Sequence, residues 1–217
     1  MAPTKSSKLS TKISWCSSNK KTTSKGTYNG SWVNNLPEGY GIREYPSGSK
    51  LVKYSGDWKL GRKHGKGCMQ YKSGASYDGN WVKDLPEGFG IFETSKGYKY
   101  SGNWKSGKFN GKGCMQYKNG ASYDGNWLNN LPEGYGIYNY PNGSTYSGNW
   151  KLGKKHGEGC MHYQNSASYN GNWENGFRQG QGRYDFANGD YYEGSWEKCN
   201  MMGSIVEKCE NDKEAEK

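Results

Sequence analysis

Three cysteines recur at a fixed spacing, and they are the residues of this sequence that most resemble a reactive or metal-binding set. Cys68, Cys114 and Cys160 follow one another at intervals of 46 residues, each ten residues after a tryptophan. Thiols that lie close together form disulfides or bind zinc, and a disulfide requires Cα atoms within about 7 Å of each other. Whether these thiols can meet depends on the elements that carry them.

The three histidines, His64, His156 and His162, are the other side chains that could bind a metal or transfer protons. No aspartate or serine recurs at a fixed distance from them. Catalysis requires an asymmetric arrangement of nucleophile, base and orienting group. The spacing of the histidines does not indicate such an arrangement.

The chain is built from copies of one motif, Y-x-G-x-W, which includes eight of its nine tryptophans. After a first step of 26 residues, every later step is 23 residues. A fixed period in this range indicates a repeat architecture. The copies begin at Tyr28, Tyr54, Tyr77, Tyr100, Tyr123, Tyr146, Tyr169 and Tyr192.

Each repeat predicts two antiparallel strands. Tyr, Gly and Trp occupy alternate positions of the motif, and glycine recurs seven and nine residues after the Trp of the first seven copies, so these residues share one face of the strands. In the last copy Ile205 replaces the second glycine. Asn119-Gly120 and Asn142-Gly143 lie between repeats and predict type I′ hairpin turns. The segment after each tryptophan, such as "VKDLPE", predicts a looser loop of six residues. Successive hairpins would then form a continuous meander.

The stretches "YDGNWVKDLPEGFG" and "YEGSW" resemble the MORN repeat (membrane occupation and recognition nexus), whose pattern is Y-x-G-x-W followed by G-x-G. The resemblance implies an all-β fold, an elongated single-layer antiparallel meander of about eight MORN β-hairpins. We predict a basic, Ser/Lys-rich and flexible N-terminal tail (residues 1–27), the repeat array (28–198), and a C-terminal cap with a charged flexible tail (199–217).

This architecture separates the candidate chemical groups. Two repeats are four strands, so successive cysteines of the set would lie roughly 19 Å apart at about 4.8 Å per strand. We therefore predict no disulfide, metal site, cofactor or catalytic residue. The alternative is a packing role, because the intervening repeats place isoleucine where these three have cysteine. We predict that these cysteines form an Ile/Cys stripe with Ile42, Ile91 and Ile137, on the face opposite the aromatic residues. Arg183 interrupts the stripe, and Val206 continues it.

The repeated aromatic residues are either a series of binding sites or the core of the protein. We favour a packing role first, because a glycine on the same face leaves space that a neighbouring ring can fill. A partner could still bind in the groove that the rings would line. The candidate groove and core residues are Tyr77, Trp81, Tyr100, Trp104, Tyr123, Trp127, Tyr146 and Trp150.

Charged residues alternate between repeats. "LPEG" segments carry Glu38, Glu87 and Glu133, whereas the other repeats carry basic residues. We favour a solvated edge with weak attraction between neighbouring loops; the alternative is a basic patch that suits a periodic acidic partner. The basic candidates are Arg62, Lys63, Lys108, Lys154 and Lys155.

Composition and resemblance together indicate a scaffold and not an enzyme. The chain has a net charge of +10 and a mean hydropathy of −1.14, with no signal peptide and no apolar membrane helix, so we expect an intracellular protein. Small all-MORN proteins are similar to components of ciliary and flagellar axonemes, including radial-spoke heads. The resemblance therefore implies protein partners in the cytoplasm and cytoskeleton, and specifically in an axoneme.

The sequence also favours other partners to a lesser degree. Exposed edge strands would allow a homodimer or edge-strand pairing. The competing function is a membrane-associated tether that binds anionic lipids through the basic loops and the tail lysines. Nucleic acid is the weakest candidate, because no arginine-rich segment or nucleic-acid-binding module accompanies the lysines.

Overall fold

The structure, a computed structural model, describes residues 20–205. They form 17 strands in one sheet and contain no helix that could cross a membrane. The strands are β1 (Lys21–Thr23), β2 (Gly26–Val33), β3 (Leu36–Glu44), β4 (Leu51–Lys59), β5 (Arg62–Tyr71), β6 (Ser76–Val82), β7 (Leu85–Glu93), β8 (Lys99–Lys105), β9 (Lys108–Gln116), β10 (Ser122–Leu128), β11 (Leu131–Asn139), β12 (Thr145–Lys151), β13 (Lys154–His162), β14 (Ser168–Glu174), β15 (Phe177–Asp185), β16 (Tyr191–Glu197) and β17 (Asn200–Met201).

Every strand pairs antiparallel with the next strand in the sequence, from β1–β2 through to β16–β17. The predicted all-β meander of hairpins in a single antiparallel sheet is therefore confirmed. The terminal strands are the shortest, with three residues in β1 and two in β17. Short edge strands present few unpaired backbone groups for pairing with another chain. Strand β1 lies within the segment that we assigned to the N-terminal tail.

The segment after each tryptophan is a tight turn, so the predicted six-residue loop is wrong. Val33 and Leu36 pair directly, and the two residues between them, Asn34 and Asn35, have φ angles of 48° and 61°. Two consecutive positive φ angles are the property of a type I′ turn, whose twist matches that of the paired strands. The "LPEG" residues therefore belong to the following strand.

The Asn-Gly turns between repeats differ from the type I′ turns that we predicted. At Asn119-Gly120 only the glycine has a positive φ, 86°. The Gly120 amide donates to the Tyr117 carbonyl, and the Asn119 Oδ1 accepts a hydrogen bond of 3.1 Å from the Ala121 amide. The asparagine side chain thus binds the backbone two residues on, which stabilises a turn without a left-handed asparagine.

The core is a continuous row of eight tyrosines and eight tryptophans from the repeated motif, here called the aromatic ladder. Each tyrosine from Tyr28 to Tyr169 contacts its own repeat's tryptophan and the next repeat's; the last, Tyr192, contacts Trp196. All are edge-to-face contacts, with ring centroids 5.0 to 5.5 Å apart. Such pairs contribute about 0.5–1.5 kcal/mol beyond the burial of their area. The ladder stabilises each hairpin against its neighbours.

Polar atoms of the ladder are satisfied within the sheet. The indole of Trp127 donates to the Gly113 carbonyl of the preceding repeat at 2.9 Å, and six other ladder tryptophans do the same. The Tyr123 hydroxyl donates to the Asn126 carbonyl at 3.0 Å, as the equivalent hydroxyls do in every repeat. These bonds remove the cost of burying the polar ends of the rings.

The two glycines of each G-x-G pair are required for different reasons. The first lies in a β-bulge, where Gly30 pairs with Gly41 but Trp32 pairs with Pro37, and Gly39 between them has a φ of 69°. The second lies beneath the tyrosine ring, because a Cβ at Gly41 would meet the ring of Tyr28. The predicted packing of rings over glycines is therefore present, with each tyrosine covering glycines of its own hairpin.

Candidate binding surface on the aromatic face

The predicted groove residues form the floor of the aromatic face, which is the sheet face that carries the ladder. All eight are buried, with at most 8% of any side chain exposed. A partner would therefore contact the residues that cover them, and a direct role of the eight in binding remains a prediction. They are Tyr77, Trp81, Tyr100, Trp104, Tyr123, Trp127, Tyr146 and Trp150.

On each odd-numbered strand from β1 to β15 we name one covering residue, the one nearest to a ladder tryptophan. On β15 that residue is Arg178, 4.3 Å from the ring centre of Trp196, and the ring of Tyr184 lies beside the same tryptophan at 6.1 Å. The chemical types of the eight covering residues divide the aromatic face into three sections. Cations cover the two flanks, β1–β5 and β13–β15, and aromatic rings cover the middle section, β7–β11. The covering residues are Lys21, Arg43, Lys63, Phe92, Phe109, Tyr138, Lys155 and Arg178.

In the flanks the cations lie over tryptophan rings. The Lys63 ammonium is 4.5 Å from the ring centre of Trp81, and the Lys155 ammonium is 4.2 Å from that of Trp173. The guanidinium carbons of Arg43 and Arg178 lie at 4.4 and 4.3 Å from their tryptophans. These are cation–π distances. Burial lowers the pKa of the two lysines, because it penalises their charged form.

In the middle section Phe109 takes the place that Lys63 and Lys155 occupy in the flanks. Its ring stacks on Tyr100 at 3.8 Å, with an interplanar angle of 15°, and contacts the edges of Trp104 and Trp127. On the neighbouring strands, Phe92 and Tyr138 cover their tryptophans at 6.2 and 6.1 Å. The middle section thus presents aromatic surface without a cation over the ladder.

An open apolar cleft of about 610 Å³ extends from Tyr71, at the end of β5, into the middle section of the aromatic face. Carbon-rich side chains form most of its wall, and Ser73 and Asn130 contribute polar groups. No charged residue lines it. An apolar concavity with a few polar groups is the usual form of a ligand-binding site. Its main apolar walls are Tyr71, Leu85, Pro86, Phe92, Trp104 and Phe109.

The five basic candidates do not form a single patch. Lys63 and Lys155 cover the ladder, whereas Arg62, Lys108 and Lys154 are exposed at the first positions of their strands. Neighbouring residues of a strand point to opposite faces, so Arg62 and Lys63 cannot share one surface. The predicted placement of these residues in loops is wrong, because they belong to the strands, while their contact with an acidic partner stays a prediction.

The "LPEG" glutamates bind backbone amides of the neighbouring hairpin. Glu87 accepts a hydrogen bond of 2.8 Å from the amide of Ser106, which lies in the turn of the following repeat. Glu38 and Glu133 make the equivalent bonds to that turn in their following repeats, at 2.8 and 2.9 Å. The glutamates therefore connect successive turns, in addition to contributing charge at the edge of the sheet.

The cysteines of the predicted stripe are free thiols on the face opposite the ladder, here called the Ile/Cys face. Polar residues alternate with the stripe across the sheet, since Asp78 pairs with both Cys68 and Ile91. Partial burial raises the pKa of the three thiols, which lowers their nucleophilic thiolate fraction. Within residues 20–205 no three metal-binding side chains cluster, while Cys16, Cys209 and Val206 lie outside the described residues.

Sequence analysis missed the covering residues as a group. One signal was available, because the residue five positions after successive ladder tryptophans is Pro37, Lys63, Pro86, Phe109, Pro132, Lys155 and Arg178. Four of these, Lys63, Phe109, Lys155 and Arg178, contact the tryptophan of the next repeat. The other missed feature is on the Ile/Cys face, where Tyr40, Phe89 and Tyr135 are exposed.

Several solved structures are similar to this chain at low sequence identity. The SAS-4 (dCPAP) TCP domain of Drosophila melanogaster, in complex with a proline-rich motif of Ana2 (dSTIL), is 14% identical, with 59% of this chain and 71% of that chain covered and a TM-score of 0.40. The wild-type TCP10 domain of Danio rerio CPAP is 8% identical, with 83% and 81% covered and a TM-score of 0.44. No curated protein is similar enough to count as a match.

The MORN repeat family model matches most of the chain, in seven segments. The eighth copy of the motif, Tyr192–Trp196, lies beyond them in β16, and its second strand is shortened to β17. The matched segments are residues 28–50, 54–76, 77–97, 100–122, 123–145, 146–168 and 169–191. With the repeated hairpins and the aromatic ladder, this match shows that the chain belongs to the MORN-repeat family.

Proposed function

We propose that this protein is a non-enzymatic scaffold that binds an extended segment of a partner protein across its aromatic face. The observation that carries the proposal is the apolar cleft of about 610 Å³ that extends into the middle section. The ladder beneath it is already packed and internally hydrogen-bonded, so it provides a rigid floor. Binding to a preformed surface avoids the cost of ordering that surface.

A structural role also agrees with where the reactive groups lie. The cysteines of the Ile/Cys stripe are on β5, β9 and β13, so four strand spacings separate each from the next. The closest approach among the candidate groups is between Cys160 and His162, at 3.4 Å, and these two belong to one strand. The raised pKa of that thiol makes it a poor nucleophile.

Our proposal places the protein in a cytoskeletal assembly, and specifically in a ciliary or flagellar axoneme. Its support is the resemblance to small all-MORN axonemal proteins, together with a sheet that offers two long faces for other proteins. Lipid binding through Arg62, Lys108, Lys154 and the N-terminal lysines is the competing function, because these side chains, where described, are exposed.

The experiment compares two matched variants. Phe109→Lys and Phe89→Lys make the same chemical change on opposite faces, since Phe89 is 54% exposed on the Ile/Cys face. We expect detergent-extracted axonemes to retain wild-type protein and Phe89→Lys, and to lose Phe109→Lys. Equal retention of all three proteins would show that the aromatic face does not bind the partner.

Lipid binding is tested by co-sedimentation with phosphatidylserine vesicles at physiological salt, with and without residues 1–25. We expect no sedimentation above that with neutral vesicles. Sedimentation that depends on residues 1–25, combined with no retention on axonemes, would favour the membrane tether over the scaffold.

A further inference from the structure

We infer that the partner segment is about twelve residues long, with an apolar centre and acidic residues towards both ends. This inference rests on the proposed function, because it concerns the same aromatic face. It follows from how charge is distributed among the covering residues: cations at both flanks and uncharged rings between them.

The flank cations are available to a carboxylate. None of them forms an ion pair within 4.0 Å with another residue of the described range, where the ion pairs join Lys99 to Glu93 and Arg183 to Asp185 and Glu193. Arg178 donates one hydrogen bond to the Cys199 carbonyl, which carries no net charge. The flanks therefore hold positive charge that no internal carboxylate neutralises at contact distance.

The carboxylate near Lys63 accepts a hydrogen bond from the backbone and does not contact the lysine ammonium within 4.0 Å. Burial lowers the pKa of Lys63 and the Asp84 charge opposes this, while the Asp84 Oδ1 accepts a hydrogen bond of 2.9 Å from the Lys63 backbone amide. A partner carboxylate that reaches the lysine ammonium would act in a partly desolvated place. Coulomb attraction is stronger there than between fully exposed charges.

The positions of the cations set the length of the segment. Lys63 is on β5 and Lys155 on β13, so eight strand spacings separate them. At about 4.8 Å per strand this is roughly 38 Å, which an extended chain spans with about twelve residues at about 3.3 Å each. The cleft reaches from Tyr71 on β5 to Asn130 after β10, between the strands of the two lysines, so the apolar residues of the segment lie between its acidic ends.

The residues that line the cleft favour apolar partner side chains. Where a flank has a lysine over the ladder, the equivalent place in the middle section has Phe109, whose ring leaves the cleft beside it free of charge. Apolar partner side chains bury area against such a wall, whereas a charged side chain there would lose hydration without an opposite charge.

Three synthetic peptides test the inference by fluorescence anisotropy with the full chain. Each has fourteen residues, a Leu-Phe-Leu centre on a Gly/Ser background and a fluorescein label; two residues at each end are Glu, Gln or Lys. We expect the Glu peptide to bind about tenfold more tightly than the Gln peptide, and the Lys peptide most weakly. The advantage of the Glu peptide should shrink as salt screens the charges.

Variants of the protein test the flank lysines and the apolar middle section separately. The double variant Lys63→Met and Lys155→Met should bind the Glu and Gln peptides equally, with circular dichroism confirming the fold. Phe109→Lys should weaken binding of the Glu and Gln peptides, whereas Phe89→Lys should not. Phosphatidylserine vesicles are the further probe, and wild-type protein and the double variant should sediment with them equally.

The outcomes distinguish failure of the inference from failure of the proposed function. Equal binding of Glu and Gln peptides, with Phe109→Lys weakening both, overturns the acidic ends and leaves the binding surface in place. Peptide binding that Phe109→Lys does not change overturns the surface itself. Absence of binding by all three peptides, or vesicle binding that the double variant loses, also overturns the inference.

Discussion

The middle section and the flanks of the aromatic face share one floor and differ in what covers it. In both, ladder tyrosines and tryptophans meet edge to face at 5.0 to 5.5 Å. Above that floor, Phe109 stacks on Tyr100 in the middle section, whereas Lys155 lies over Trp173 in the second flank. The same backbone position therefore accepts a ring or a cation without a change in the hairpin.

This difference separates stability from recognition. A covering residue lies on the solvent side of the ladder. The aliphatic stem of a lysine or arginine and the ring of an aromatic residue can both exclude water from the ladder there. The residue determines whether the surface is charged or apolar. Because the floor is the same in every repeat, the covering residue can differ between repeats. Substitutions in the floor should therefore change stability more than substitutions of covering residues.

Removal of a floor residue should have the largest effect. We expect Trp127→Ala to lower the free energy of unfolding by about 3–5 kcal/mol, because it leaves a cavity between two tyrosines and breaks the hydrogen bond to Gly113. Trp173→Ala in the flank should cost a similar amount, and urea unfolding followed by circular dichroism measures both. A Trp127→Ala protein that unfolds like wild type but fails to bind would reverse our assignment of the ladder to the core.

Filling the space beneath a tyrosine ring should cost less. A Cβ at Gly113 would lie 2.3 Å from the Tyr100 hydroxyl, and one at Gly159 would lie 2.3 Å from that of Tyr146. We expect alanine at either site to destabilise by about 1–3 kcal/mol in urea unfolding, equally in the middle section and the flank. Gly120→Ala is the control without a steric conflict, since only its positive φ opposes the change. A clear difference between the two ring sites would show that the floor is not uniform.

Alkaline pH should destabilise the sheet through the ladder tyrosines. Burial raises the pKa of Tyr123. Burial also raises the pKa of Tyr169, to about 12, and the neighbouring Arg178 charge opposes that rise. In the unfolded chain a tyrosine hydroxyl ionises near pH 10. The contribution of these two tyrosines to stability is present below pH 10 and is lost as pH rises towards the folded pKa, because the unfolded state then holds fewer protons.

Each such tyrosine should cost about 1.4 kcal/mol of stability at pH 11. Urea unfolding at pH 8 and pH 11, compared with Tyr123→Phe and Tyr169→Phe, measures this loss, which each variant should reduce. Absorbance at 295 nm should show that Tyr169, beside a flank cation, ionises before Tyr123. The reverse order would contradict the described difference between flank and middle section.

Exchange of a covering residue should have the smallest effect. We expect Phe109→Lys to change the free energy of unfolding by less than about 1 kcal/mol, because the cation–π contacts of about 0.5–2 kcal/mol that lysine makes in the flanks replace part of the ring contact. Phe109→Ala makes neither a ring contact nor a cation–π contact, so it should lower the stability further, as measured by thermal unfolding. If lysine proves as harmful as alanine, the middle section is not an equivalent of the flanks.

Much of the fold was predictable from the repeat. The period of 23 residues and the alternation of Tyr, Gly and Trp led to the meander and to the face that carries the rings. Turn types were predicted less well, because Asn-Gly favours more than one turn. The Asn119 side chain bonds the Ala121 amide, whereas Asn34 and Asn35 have two positive φ angles without any glycine.

The candidate site was predictable in part. The eight candidate ladder residues lie where the repeat places them, and burial makes them the floor of the aromatic face, so their direct role in binding stays a prediction. The basic candidates divide between two places, because Lys63 and Lys155 cover the ladder whereas Arg62, Lys108 and Lys154 are exposed, and contact of the exposed three with a partner stays a prediction. Local sequence does not reveal this, since the positions of Lys63 and Lys155 depend on a tryptophan 18 residues further along the chain.

By itself, the sequence determined the period, the strands and the aromatic core, because these depend on spacing within one repeat and on glycine beneath each ring. Only the tertiary structure decided which residues cover that core and where the cleft opens. The physical reason is that a covering residue and its tryptophan belong to different hairpins. Their contact exists only once neighbouring repeats have paired, and the proposed partner surface consists of those contacts.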